Sequence, residues 1–171
     1  MKKLILLIAI SFSLFSCQND KTAFVDSEIL IEEYQQRKDL QEKYKIKDEA
    51  LKKKRDSIGN DIKKEVEAFQ AKNSSLPIQK QQELYMPIQQ KSQYLSNMLQ
   101  QEQQKLNQEM QVEIDSLLSK IDAAVVTYGK NNGYAYIFGK NKAGSVIYGS
   151  DKNDLTNIIL EELNNNYAKT K

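Results

Sequence analysis

The sequence predicts an α+β fold that is predominantly α: a long antiparallel helical hairpin carried on a small β-rich body. Three observations predict it. Apolar residues recur every eleven positions in two long stretches, turn residues stand between the stretches, and short alternating apolar runs flank them. In the second stretch Leu84, Leu95, Leu106 and Leu117 form one row that ends at Tyr128. Ile88, Leu99, Met110 and Ile121 form a second row, four residues behind the first. Eleven residues make three turns at about 3.67 residues per turn, close to the 3.6 of an ordinary helix. The stripe therefore stays on one face and hardly winds, which describes a long arm rather than a globular core.

Residues 1–16 read as an export signal. Met1-Lys2-Lys3 is a short basic start, and Leu4 to Phe15 is an apolar run too short for a comfortable membrane span. The run ends at Leu14-Phe15-Ser16-Cys17, which resembles the lipobox of bacterial lipoproteins. In that reading Cys17 carries a lipid, residues 17–21 are a polar tether, and the protein is anchored to an envelope membrane. The alternative is an ordinary signal peptide with a chance cysteine beside its cut site. Cys17 is the only cysteine, so no internal disulfide staples the fold.

Thr22-Ala23-Phe24-Val25 is a short β-type run. Asp26 and Ser27 follow as candidate N-caps, with Glu28 placed where a negative charge suits the helix dipole. From there to about Lys72 the pattern is helical. Ile29, Leu40, Leu51 and Ile62 form one row, Ile58 and Phe69 a second, with Tyr44 and Val66 nearby. Asn73-Ser74-Ser75 breaks the pattern, and Pro77 suits the first turn of a new helix. The hairpin arm thus covers residues 27–131, with its apex near 73–76. If the rows face each other, Ile62 meets Leu84, Leu51 meets Leu95, Leu40 meets Leu106 and Ile29 meets Leu117. Each pair adds to 146, which puts the apex at Asn73. About 46 residues of helix per arm, at 1.5 Å each, extend roughly 70 Å. The same mirror sets Gly59 opposite Pro87, two helix breakers at one height. They are candidates for a hinge, or else a tolerated kink.

Asn131-Asn132-Gly133 ends the second helix. Gly133 to Gly139 alternates large aromatics with smaller residues, the period of a strand. Lys140 to Gly144 is a polar turn, and Ser145-Val146-Ile147-Tyr148-Gly149 reads as a further strand. Asp154 caps a short amphipathic helix carrying Leu155, Ile158, Ile159 and Leu163. Residues 22–26 and 132–164 then form the β-rich body. Its strands are apolar on both faces, and one copy is too small to cover them. Self-association through Phe24, Val25, Tyr134, Tyr136, Ile137, Phe138, Val146, Ile147 and Tyr148 is the natural remedy.

The chemistry available is limited. The chain has 25 Lys+Arg against 23 Asp+Glu, and removing Lys2 and Lys3 leaves it formally neutral. Such a protein has no global field to hold nucleic acid. Without histidine, and with its one thiol at the lipobox, it lacks the usual groups for histidine catalysis, metal ligation or cysteine attack. No phosphate-binding loop, metal cluster or isolated acid pair appears, so no catalytic residue, metal or cofactor is expected, and the protein is not read as an enzyme.

The chain resembles the Skp (OmpH) family of periplasmic chaperones. Phe24-Val25-Asp26-Ser27, Gly133-Tyr134, Val146-Ile147-Tyr148 and Asp154-Leu155-Thr156, running into Ile159 and Leu163, carry the likeness. The order of signal, strand, helical hairpin, two strands and closing helix matches as well. The resemblance implies a homotrimer whose strands build one β-body from which three hairpins hang. It implies an ATP-independent periplasmic holdase that keeps unfolded outer-membrane proteins from aggregating in the cavity between the arms. The neutral charge and Cys17 depart from the strongly basic, soluble familiar members. The alternative is an envelope-anchored structural coiled-coil adaptor without a client cavity.

Holding an unfolded client needs many weak apolar contacts. Candidates off the seam are Tyr34, Phe69, Tyr85, Met86, Tyr94 and Met98, unless they only widen the seam. Lys52-Lys53-Lys54-Arg55 could meet acidic clients or lipid phosphates. The blander reading is a solvated face laced by pairs such as Glu33–Arg37, Asp39–Lys43, Asp48–Lys52 and Glu49–Lys53. The glutamines of the second arm, Gln100, Gln101, Gln103, Gln104 and Gln108, favour helix without adding charge.

Overall fold

The computed structural model describes residues 20–142, 144 and 146–171. The signal segment and Cys17 lie outside the described residues. In order the elements are β1 (Thr22–Asp26), α1 (Ser27–Glu33), α2 (Gln35–Asn73), α3 (Ile78–Asn131), β2 (Tyr136–Lys140), a short 3-10 turn (Asp151–Asn153) and α4 (Thr156–Thr170). They form two compact units. One comprises the described residues up to Gln35 and from Ser119 onward; the other is Gln36–Leu118.

The first unit is built around a two-stranded parallel sheet, with Thr22 paired to Tyr136 and Asp26 to Lys140. On its other side β1 meets the chain again: Phe24 bridges Asp154, and Leu155 N–H donates to Phe24 O at 2.9 Å. Ala23, Phe24, Val25, Leu30, Tyr34, Ile121, Leu155, Ile159 and Leu163 are buried and form the core. Asp26 caps α1 as expected: its Oδ1 accepts from Glu28 N and Ile29 N, each at 3.1 Å. Gly133 ends α3 at φ 68°, which lets Tyr134 N–H reach Gly129 O at 3.0 Å and close the last turn.

Three expectations need correction here. The first helix is not continuous: Tyr34 is extended (ψ 121°) and separates α1 from α2. Its ring is buried, edge-on to Tyr167 at 6.1 Å, and Gln35 N–H donates to Asn164 Oδ1 at 2.8 Å. A contact with α4, over 120 residues away, thus interrupts a helical pattern, which local periodicity cannot reveal. Val146 to Gly149 form no strand, because among the described residues no neighbouring strand pairs with them; Ser145 lies outside the described residues. Asp154 stands one position before the Leu155 N-cap of α4, although its Oδ1 still accepts from Thr156 N at 2.8 Å.

The second unit is two antiparallel helical segments. Leu40, Tyr44, Leu51, Ile88, Leu99 and Leu117 are its buried apolar residues. The helices stop at Asn73 and restart at Ile78, joined by a turn in which Leu76 N–H donates to Asn73 O at 3.1 Å. The register differs from the expected one. Lys43–Glu113, Lys47–Glu109, Lys54–Glu102 and Lys91–Glu65 bridge the helices at 2.6–3.0 Å. The residue numbers of every pair add to 156, so the mirror lies at 78 and not at 73. Leu51 accordingly lines a groove with Leu106 rather than meeting Leu95. The true pairing is slipped by about one eleven-residue repeat, an error to which any repeating pattern is open.

Charge signs favour the observed register over its neighbours one repeat away. The pairs at 43, 54 and 65 follow the same eleven-residue repeat, but the last is reversed: glutamate on α2, lysine on α3. One repeat in one direction would set Lys54 against Lys91; one repeat in the other would set Glu65 against Glu102. The slip also separates the two breakers. Gly59 is level with about Asn97, while both helices run unbroken through Gly59 and Pro87. The idea of a paired hinge at one height therefore falls.

Candidate functional site

The second unit has a thin seam and much exposed apolar surface. On α3 Ile78 is 60 %, Met86 52 % and Tyr94 69 % exposed, and Leu84 is exposed as well. At 100° per residue Met86 and Tyr94 fall on the side of α3 away from buried Ile88 and Leu99. Met98, half-buried, stands one turn beyond Tyr94. Phe69 and Tyr85, also half-buried, contact each other with ring centroids 5.4 Å apart. With Ile78 they line an open groove of about 300 Å³ near the turn. Of the six client-contact candidates, Tyr34 is the exception. It is core of the first unit, and burial together with the Tyr167 hydroxyl raises its pKa.

A polar cluster that the residue pattern did not reveal sits on the seam. Tyr44 is buried and donates through its hydroxyl to Glu113 Oε1 at 2.9 Å, while Lys43 Nζ reaches the same oxygen at 2.6 Å. Burial, then the Glu113 bond, pushes Tyr44 up to about 12. The Lys43 bond is the largest influence on Glu113 and holds its carboxyl below the usual range. Tyr44 also lines a groove of about 400 Å³ whose apolar walls are Leu40, Leu106, Met110 and Ile114. The sequence showed Tyr44 near the seam, but not its partner on the other helix.

The basic run Lys52 to Arg55 is divided. Lys54 pairs with Glu102, and Arg55 Nη2 donates to Gln103 Oε1 at 3.2 Å, while Lys52 and Lys53 are exposed. Lys43, expected to pair along its own helix with Asp39, reaches across to Glu113.

In the first unit the candidates for self-association divide by face. Phe24 and Val25 are buried, and Tyr134, Ile137 and Val146 are half-buried. Tyr136 (60 %), Phe138 (48 %), Ile147 (93 %) and Tyr148 (87 %) are open to solvent. The Tyr136 and Phe138 rings stack with centroids 6.0 Å apart. Among the described residues β2 pairs with β1 alone, which leaves its other edge unpaired. Among the same residues no group of three or more His, Cys, Asp or Glu is placed to hold a metal ion. No described helix is long and apolar enough to cross a membrane.

The arrangement offers apolar surface, an open strand edge and ion-paired helices. The fold is similar to a crystal structure from Caulobacter crescentus CB15, described as OmpH-like and a candidate outer membrane chaperone. The TM-score is 0.75 at 11 % identity, with 86 % of this chain and 85 % of that one covered, which speaks for the fold alone. No curated protein matches the sequence. The profile of the family described as outer membrane protein (OmpH-like) matches residues 21–163. The chain, most of which that profile spans, therefore belongs to the OmpH-like outer membrane protein family.

Proposed function

We propose that this protein is an ATP-independent periplasmic holdase that binds unfolded outer-membrane proteins and prevents their aggregation. It acts as a homotrimer held at an envelope membrane through a lipid on Cys17. The observation that carries the reading is the large apolar surface left open on a chain of this family. Met86 and Tyr94 on the hairpin, and Tyr136, Phe138, Ile147 and Tyr148 on the body, are all exposed.

The two sets have different uses. On the body, exposed Tyr136 and Phe138 belong to the strand with the unpaired edge, where another copy can add hydrogen bonds as well as apolar contact. On the hairpin, isolated residues such as Tyr94 and Met86 offer small contacts. At about 25 cal/mol per Å², several of them hold an unfolded chain firmly while each one releases readily. That permits binding and release without a nucleotide.

The test is light scattering by an unfolded outer-membrane β-barrel protein diluted out of urea, with and without the purified protein and with no ATP. Suppression near one trimer per client supports the holdase. No suppression, with a folded oligomer and one discrete envelope partner, supports a structural adaptor instead.

A further inference from the structure

The outer faces of the two hairpin helices differ in kind. On α2 the arc opposite the seam is charged, with Glu42, Glu49, Lys53, Asp56, Lys64 and Glu67 all exposed. On α3, from Met86 to Gln111, an arc of about 140° opposite Ile88 and Leu99 carries no charged side chain at 100° per residue. Its positions are glutamine and asparagine, interrupted by Met86 and Tyr94. Gln89, Gln90, Gln100, Gln101, Gln104 and Gln108 are exposed. Within that arc Gln93 and Asn97 bond each other at 3.0 Å, and Gln111 donates to Asp115 at 2.8 Å. Those six make no such bond among the described residues, so their amide donors and acceptors face solvent.

A primary amide carries the same donor and acceptor pair as a peptide group. An unfolded segment exposes together apolar side chains and peptide groups that have water but no protein group as partner. We infer that the uncharged α3 face is the surface that holds the client, with glutamine amides meeting its unpaired backbone and Tyr94 and Met86 meeting its apolar side chains. The inference rests on the holdase reading and specifies how the partner is recognised. Because the face is neutral, recognition ignores the client's net charge. The chain's balance of 25 basic and 23 acidic residues removes long-range charge steering as well.

The experiment uses the full-length protein and a fluorescently labelled, urea-unfolded outer-membrane β-barrel protein of acidic net charge. Wild-type affinity should change less than about twofold between low and high salt, where screening is strong. Two triple variants replace Gln90, Gln101 and Gln108, all by Glu or all by Lys; each residue is a good helix former. Both should weaken binding about fivefold or more, because a charge must be desolvated where an amide was matched. A control, Ala50→Glu with Ser57→Glu and Asn60→Glu on α2, should bind like wild type.

Strengthening by Lys with weakening by Glu would overturn the inference in favour of charge attraction. Unchanged binding in both triples, or a changed subunit number in either, would overturn it in favour of an inert or arm-packing face. In each of those cases wild-type holding persists, so the holdase reading survives. Absence of wild-type holding would instead remove the reading beneath it.

Discussion

At Gly149 the backbone passes so close to the buried Phe24 ring that an added Cβ would overlap it. Gly149→Ala should therefore destabilise the first unit by about 1–3 kcal/mol, as overpacking does, read as a lower urea midpoint at unchanged m. Tyr44 and Glu113 set opposite ends of a pH window. Glu113 is lowered in the folded protein, chiefly by its bond to Lys43, so its contribution is full above the ordinary carboxylate range. That contribution is lost as pH falls through the depressed folded value. Tyr44 is raised to about 12 from 10.0, so its contribution is full below pH 10 and lost as pH rises toward 12. Glu113→Gln should flatten the acid side of the stability profile, and Tyr44→Phe the alkaline side between pH 10 and 12. Urea midpoints across pH check both. Residue types showed that these groups exist, whereas their shifts depend on a bond between residues 69 apart in sequence.

At the scale of the elements, the ion pairs favour one register among those the repeating apolar rows allow. Lys91 and Glu65 are the reversed pair, with side chains 54 % and 37 % exposed, so solvent screens them. Lys91→Glu should cost about 0.5–1 kcal/mol through a like-charge contact. The exchange Glu65→Lys with Lys91→Glu should recover most of the loss, as a double-mutant cycle by chemical denaturation would show. The helices and their ends were legible because eleven-residue apolar rows, Ser74-Ser75, Pro77 and Gly133 are local signals. The pairing between them was not. A repeat matches itself when slipped by one period, and apolar rows alone do not distinguish the two positions. The break at Tyr34 was equally hidden, since Tyr167 and Asn164 that hold it belong to the last helix.

At the scale of the whole molecule, the exposed aromatic patch of the body and the apolar hairpin residues should respond to different tests. Phe138→Glu combined with Ile147→Asp places charge on two exposed apolar positions of the body and, on the proposed self-association, should lower the solution mass of the purified protein toward that of one chain. Tyr94→Ser with Met98→Ser should leave that mass unchanged while weakening suppression of client aggregation severalfold, because each substitution removes one of many small contacts. The candidate surface was partly legible. Met86 and Tyr94 stand off the apolar rows and prove exposed, whereas Tyr34 looked identical on spacing and is core. Exposure depends on what other segments cover, and α4 covers Tyr34.

By itself the sequence determined the helical hairpin, the Asp26 cap, the turn between the long helices and the two strands at Thr22 and Tyr136, since each follows from short-range periodicity and backbone preference. Tertiary structure alone decided the register of the two helices, the burial of Tyr34, and the absence of a strand at Val146 to Gly149. The physical reason is common to all three. Each is settled by groups far apart along the chain, or by hydrogen-bond partners that one copy does not contain, and a local pattern carries no information about either.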